Sequence, residues 1–291
     1  MSAVPPNADR EDAARVAEAA GWLRERWQPR PFAGVVLGSG LSGLTHHIDV
    51  EYRCEVEEVP HFTPPSADGH RGELLFGWMG PVPVVAFAGR LHRYEGHPSP
   101  TITFGIRVLR SLGGRVLALS NAAGGVDPSF REGDVMILDD HLDLTEGDPL
   151  QDLFLFDAPT EAANCYDARL SDWAMQNAIR DGRPIRRGCY VAMCGPNYET
   201  RAEYRLLQRL GIGTVGMSTA PEAAMARRCG LRVLALSTVT NVCDPDALAP
   251  TSHDEVMAAA GRAEEHVREI VREVITQAYT EAVLGDRAGV S

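Results

Sequence analysis

Short, uninterrupted apolar runs alternate along this chain with segments whose apolar positions recur every three or four residues. Val16, Ala20, Leu23 and Trp27 fall at helical spacing and predict an amphipathic helix over about residues 9–28. The runs Ala33 to Gly38, Leu74 to Met79 and Val82 to Ala88 read as buried strands. A helix over 99–112 follows, then strands at 115–120 and 134–138. In the second half, helices over 171–180, 201–210 and 221–229 interleave with strands at 190–194, 214–217 and 231–238. Strands apolar along their whole length and separated by helices predict an α/β fold, with a central mixed, largely parallel sheet covered by helices on both faces.

The last helix opens on Ser252-His253-Asp254-Glu255, a spacing that lets the Ser hydroxyl and the Glu carboxylate satisfy free N–H groups reciprocally. It is expected to run to Leu284, with Gly285 as its terminator. RVLALS occurs at 115–120 and again at 232–237, but the flanks differ and buried parallel strands draw on few residue types, so no repeat is assigned. Residues 1–8 read as a tail and 145–166, rich in Asp, Pro and Ala, as an excursion loop from a single domain spanning 1–291.

Composition narrows the function. A formal net charge of -12, with no dense Lys/Arg cluster, argues against nucleic acid as a partner. An anionic substrate must then be held by a local set of donors. The six cysteines, at 54, 165, 189, 194, 229 and 243, form no CxxC pair and no zinc-like spacing with His, so they are expected to be reduced thiols, mostly buried, and no metal is expected. No basic-then-apolar leader and no run near the roughly 20 apolar residues of a membrane span is present, which predicts cytoplasmic residence.

Six polar segments sit at strand ends. Gly38-Ser39-Gly40-Leu41-Ser42-Gly43 follows the first strand; its glycines let backbone N–H groups approach an anion, although a tight structural turn accounts for them equally. The GxGxxG spacing lacks the acidic partner of a dinucleotide site at the end of a second strand. Gly89-Arg90-Leu91-His92-Arg93-Tyr94-Glu95-Gly96-His97 puts Arg90, His92 and Tyr94 on one side of an extended chain: a planar guanidinium suited to phosphate and a His donor that can be charged. Ser120-Asn121-Ala122-Ala123-Gly124-Gly125 offers small residues against which a flat ligand can lie. Gly195-Pro196-Asn197-Tyr198-Glu199-Thr200 pairs an aromatic with a carboxylate, which a helix N-terminus would also explain as a cap. Gly216-Met217-Ser218-Thr219-Ala220-Pro221-Glu222 and Thr240-Asn241 complete the set. Polar groups at the C-terminal ends of several strands are where α/β sheets bind ligands.

In order, GRLHRYEGH, SNAAGG, GPNYETRAE and GMSTAPE closely resemble the trimeric, 6-oxopurine-specific purine nucleoside phosphorylases, from about Val35 to the helix beginning at Ser252. The resemblance implies reversible phosphorolysis of inosine and guanosine, and their 2'-deoxy forms, to free base and ribose 1-phosphate, with phosphate as co-substrate and no cofactor. It implies that Ser39, Arg90, His92, the N–H of Ala122 and Ser218 bind phosphate, with His70 near its entrance. Tyr94, Met217 and His253 would line the ribose; Glu199 and Asn241 would grip the purine edge, with Tyr198 and Val215 at its face. Catalysis would rest on Asn241, Glu199 and His92. The methylthioadenosine branch of the fold typically carries Asp at the base-site position, so Asn241 points to 6-oxopurines. A homotrimer with the active site at the subunit interface is also implied.

The chain departs from that pattern in places. The region that supplies an aromatic to the neighbouring ribose aligns poorly here, leaving Phe154 and Phe156 as alternatives; Tyr198 stands where Phe is common; and residues 242–246 are unusually acidic. Two other classes remain: a nucleoside hydrolase, which commonly uses an Asp-rich metal cluster for which no motif occurs here, and a non-catalytic nucleoside-binding protein, which would need no Arg90 and His92 together.

Overall fold

Residues 8–38, 42–67, 71–145, 164–247 and 253–288 are described in this computed structural model. Over them the chain runs α1 (Ala8–Arg26), β1 (Ala33–Val36), β2 (Asp49–Glu55), β3 (Glu73–Met79), β4 (Val82–Ala88), α2 (Ser99–Ile102), α3 (Phe104–Leu112), β5 (Val116–Gly125) and β6 (Val135–Asp143). It continues through α4 (Ala168–Arg180), β7 (Ile185–Ala192), α5 (Arg201–Arg209), β8 (Ile212–Gly216), α6 (Ala220–Arg228), β9 (Arg232–Val242) and α7 (His253–Ala288).

The strands form one sheet in the order β2-β3-β4-β1-β5-β8-β7-β6-β9, and β5 pairs β9 as well. The last five strands therefore close into a ring, while β2, β3, β4 and β1 make an open arm. The sheet is mixed, with five parallel ladders and four antiparallel ones. The two RVLALS strings lie side by side in the parallel β5–β9 ladder, one residue out of step, with Val116 opposite Arg232. Only the last two residues of β5, Gly124 and Gly125, reach β8, opposite Val215 and Thr214. In the β5–β9 ladder Ala123 faces Val239 and Gly124 faces Asn241, so the unpaired extra residue is Thr240 of β9.

Alternation along the strands divides the core between two faces. Val36, Leu117 and Leu119 pack with Leu23 of α1, Leu109 of α3 and Met225 of α6. Val35, Leu37, Val116 and Ala118 pack with Leu170 of α4 and Val267, Val271 and Val274 of α7. No helix among the described residues is long and apolar enough to cross a membrane.

Several elements differ from expectation. β2 is an additional strand: its residues alternate polar and apolar, but only Cys54 is fully buried, because it lies on the outer edge of the arm. The helix expected over 99–112 breaks at Thr103 into α2 and α3. β5, β6 and β9 run further than their apolar stretches, because ladder pairing continues through Asn121–Gly125, Asp140–Asp143 and Asn241–Val242. α7 passes through Gly285 to Ala288 rather than ending there. Only Cys54 and Cys243 of the six thiols are fully buried. The expected tail, and the excursion loop apart from its ends, lie outside the described residues.

Candidate active site

A cavity of about 570 Å³ opens where the ends of β4, β5, β7, β8 and β9 meet. Its wall includes Arg90, His92, Tyr94, Ala122, Tyr198, Glu199, Val215, Met217, Ser218 and Asn241, so all ten sequence-predicted residues whose side chains are described converge on it. Ser39 and His70 lie outside the described residues, as do the alternatives Phe154 and Phe156. Of His253 only the backbone, at the start of α7, is described; Val256, one turn further along, lines the cavity.

At one end the strand-to-helix turns carry donors. Arg90, at the end of β4, is 7% exposed. Its Nη1 donates to the Ser120 carbonyl (2.8 Å) and to Ser218 Oγ (3.1 Å), and its Nε lies 3.2 Å from a Glu222 carboxylate oxygen. Nη2 is buried with no hydrogen-bond partner among the described residues, and a donor left so is costly unless a ligand accepts from it. Burial raises the Glu222 carboxyl above its ordinary range, opposed by Arg90 and by the Thr219 N–H. Gly38, at the cavity edge, sits so close to β5 that a Cβ would collide with the Ser120 carbonyl.

His92 is fixed by Glu95 three residues on. The carboxylate accepts from the His92 N–H (2.6 Å) and lies 3.1 Å from Nδ1. Burial opposes ionisation of Glu95, but hydrogen bonds from the Ser66 hydroxyl and N–H and from His92 outweigh it and hold the carboxyl at about 2. Burial, with Arg90 nearby, lowers His92 to about 4 against the pull of Glu95. At neutral pH His92 is therefore uncharged, so the charge that its residue type allows is not present here. An ionised carboxylate only accepts, so Nδ1 carries the proton and Nε2 is left as the acceptor. Tyr94 stacks on this ring at 4.9 Å.

At the other end, Glu199 is 8% exposed. It is not the cap of α5: Thr200 takes that position, with Glu203 bonded to its N–H and hydroxyl at 2.6 and 2.8 Å. Burial raises the Glu199 carboxyl, opposed by its own N–H and by the Tyr204 hydroxyl that donates to it. Asn241 lies within β9, not after it; its Oδ1 accepts from the Thr240 hydroxyl (3.3 Å) and one amide hydrogen points to Cys243 Sγ (3.6 Å). Val215 is buried and Tyr198 is half exposed at the rim.

The supporting layer escaped the sequence reading. Glu95 and Glu222 each stand three residues after a polar N-cap position, a spacing that could have flagged them. Nothing in the sequence joins Ser66, Tyr190 or Tyr204 to the site, since only the fold brings them there.

The cavity thus joins a part rich in anion donors to a part with a buried carboxylate and an amide. Comparison with known proteins agrees. The Phosphorylase superfamily profile matches residues 33–276. Purine nucleoside phosphorylase 1 of Bacillus subtilis (strain 168) is 38% identical over 252 residues, covering 84% of this chain and 91% of the relative. Purine nucleoside phosphorylase of Bos taurus is 37% identical over 263 residues, covering 87% and 91%. The crystal structure of Schistosoma mansoni purine nucleoside phosphorylase in complex with adenosine superposes with a TM-score of 0.81 at 34% identity, covering 92% of this chain and 97% of that one. The chain belongs to the phosphorylase superfamily and, within it, to the purine nucleoside phosphorylases, enzymes that cleave purine nucleosides with phosphate.

Proposed function

We propose that this enzyme acts on 6-oxopurine nucleosides, inosine and guanosine with their 2'-deoxy forms, and that the cavity holds phosphate and base at opposite ends of one sugar. The observation that carries the reading is the pairing of a buried Arg90 guanidinium, bonded to Ser218 Oγ, and a buried Glu199 carboxylate in the lining of a single cavity.

Phosphate binds against Arg90, the Ala122 N–H and Ser218, with Ser39 and His70 completing the set. Glu222 offsets the Arg90 charge, so the anion is held mainly by oriented hydroxyl and N–H dipoles, including those at the start of α6, rather than by net charge. The single hydroxyl of the phosphate dianion donates to His92 Nε2. Tyr94, Met217 and His253 line the ribose. As the glycosidic bond stretches, the sugar gains positive charge that faces the phosphate, while negative charge grows on the purine. Asn241 donates to N7 and O6 and stabilises that charge where it develops. Glu199 accepts the N1 hydrogen, which adenine lacks, while Tyr198 and Val215 pack against the base. No cofactor takes part.

The active unit is a cytoplasmic homotrimer whose neighbouring protomer covers the ribose with Phe154 or Phe156. The related Schistosoma mansoni protein was solved with adenosine, so adenosine belongs in any test of selectivity. Inosine, guanosine and adenosine assayed with and without phosphate should give phosphate-dependent release of ribose 1-phosphate from the first two, with adenosine much the slowest. Free ribose released without phosphate would instead identify a hydrolase, and tight binding without turnover a nucleoside-binding protein.

A further inference from the structure

Between β8 and α6 the chain turns on a single residue: the Ala220 N–H donates to the Ser218 carbonyl (2.8 Å) across Thr219, whose φ is 72° and ψ -50°. This γ-turn is rare, and for a β-branched residue it is strained. The fold holds it from several sides. The Tyr190 hydroxyl donates to the Ser218 carbonyl (3.0 Å) and accepts from the Ser218 N–H (3.3 Å). The Thr219 N–H donates to Glu222 (3.1 Å), and Asn121 Nδ2 donates to the Thr219 hydroxyl (2.8 Å).

The buried side chains behind this turn form a line of hydrogen bonds with one direction. Thr214 Oγ1 donates to Ser237 Oγ (3.4 Å), Ser237 donates to Asn121 Oδ1 (2.8 Å), and the Asn121 amide passes the line to Thr219. Thr214, Ser237, Asn121 and Thr219 are all buried. An amide nitrogen can only donate, and Arg90 Nη1, 3.5 Å from the Thr219 hydroxyl, can only donate too. The Glu222 N–H that reaches this hydroxyl is a donor as well, so among the described neighbours the Thr219 proton goes to Ser218 Oγ, at 3.3 Å. Arg90 Nη1 donates to the same Ser218 oxygen. With both lone pairs of Ser218 so engaged, its hydroxyl can act further only as a donor, and it stands in the cavity wall.

We infer that Asn121 and Thr219 are positioning residues for phosphate, which polarise the Ser218 hydroxyl so that it meets the anion as a donor. This rests on the reading of Ser218 as a phosphate ligand. Without the line, the Ser218 hydroxyl is free to turn a lone pair toward the anion, and the advantage of a donor oriented in advance is lost.

Thr219→Val keeps the shape and removes the hydroxyl. It should raise KM for phosphate five- to twentyfold while KM for inosine stays within twofold, and Thr219→Ser should restore the phosphate KM. In a Ser218→Ala background the valine substitution should change the phosphate KM less than twofold further, because the residue it acts through is gone. A phosphate KM unchanged by Thr219→Val, an equal rise in the inosine KM, or a full effect persisting in the Ser218→Ala background would overturn the inference. Should Thr219→Val not fold, Asn121→Leu removes the same donor at similar volume and carries the same comparisons. Phosphate-independent cleavage by the unmodified enzyme would sink the functional reading and this inference with it; phosphate-dependent cleavage indifferent to Thr219→Val would sink the inference alone.

Discussion

Replacing Glu199 by Ala removes the one carboxylate that the described residues place in the cavity wall. The group is 8% exposed and held by the Tyr204 hydroxyl, so water compensates little when a substrate hydrogen loses its acceptor. A hydrogen bond to a charged group contributes about 1.5–3 kcal/mol. At about 1.4 kcal/mol per factor of ten, kcat/KM on inosine should fall by roughly tenfold to somewhat over a hundredfold. Adenosine, with no N1 hydrogen to give, serves as an internal control and should lose less than about threefold on the same argument. The pH profile adds a second reading. Burial raises the Glu199 carboxyl above its ordinary 4.5, so on acidification it takes up a proton earlier than a free carboxylate and loses its charged acceptor. Inosine kcat/KM should therefore fall on the acid side with a midpoint above 4.5, and Glu199→Gln should flatten that limb. A loss on inosine below about threefold, or an equal loss on adenosine, would refute the assignment.

Other outcomes follow from the same geometry. Asn241→Asp should raise adenosine relative to inosine, because a carboxylate accepts from a 6-amino group where the amide donates to a 6-oxo group; an unchanged ratio of kcat/KM counts against it. Glu222→Ala leaves the Arg90 guanidinium buried without its counter-charge and should destabilise the fold by about 3–5 kcal/mol in urea unfolding; a cost below about 1 kcal/mol would show that Arg90 finds another partner. His92, lowered to about 4 by burial and Arg90, should remain neutral through pH 6 in an NMR titration of the phosphate-free protein. A midpoint near 6.5 would contradict its uncharged role.

The sequence reveals the chemistry of this site more readily than the layer that supports it. The segments around Arg90, Ala122, Glu199, Ser218 and Asn241 stand out because each places polar or small residues directly after an apolar run, and β4 falls at its expected bounds because it is apolar throughout. The ring made by β5 and β9 stayed hidden because their last residues, Asn121–Gly125 and Asn241–Val242, look like loop; non-local pairing alone makes them strand. β2 carried a readable alternation, Asp49-Val50-Glu51-Tyr52-Arg53-Cys54-Glu55, whose charged edge face masks it. Tyr190 gives no sign of its role, which depends on Ser218, 28 positions away; the spacing that marks Glu222 as a cap partner says nothing of its pairing with Arg90, 132 positions away. Gly285 failed as a terminator because the preceding turns pack through Ile275 and Ala278, and that packing outweighs a single glycine's modest helix penalty.

A crystal structure with phosphate and hypoxanthine bound together tests the central claim most directly. The account predicts the anion against Arg90, the Ala122 N–H and Ser218, and the base between Glu199 and Asn241, with room for one ribose between them. Anion and base found in separate crevices, or an anion with no contact to Arg90, would contradict it.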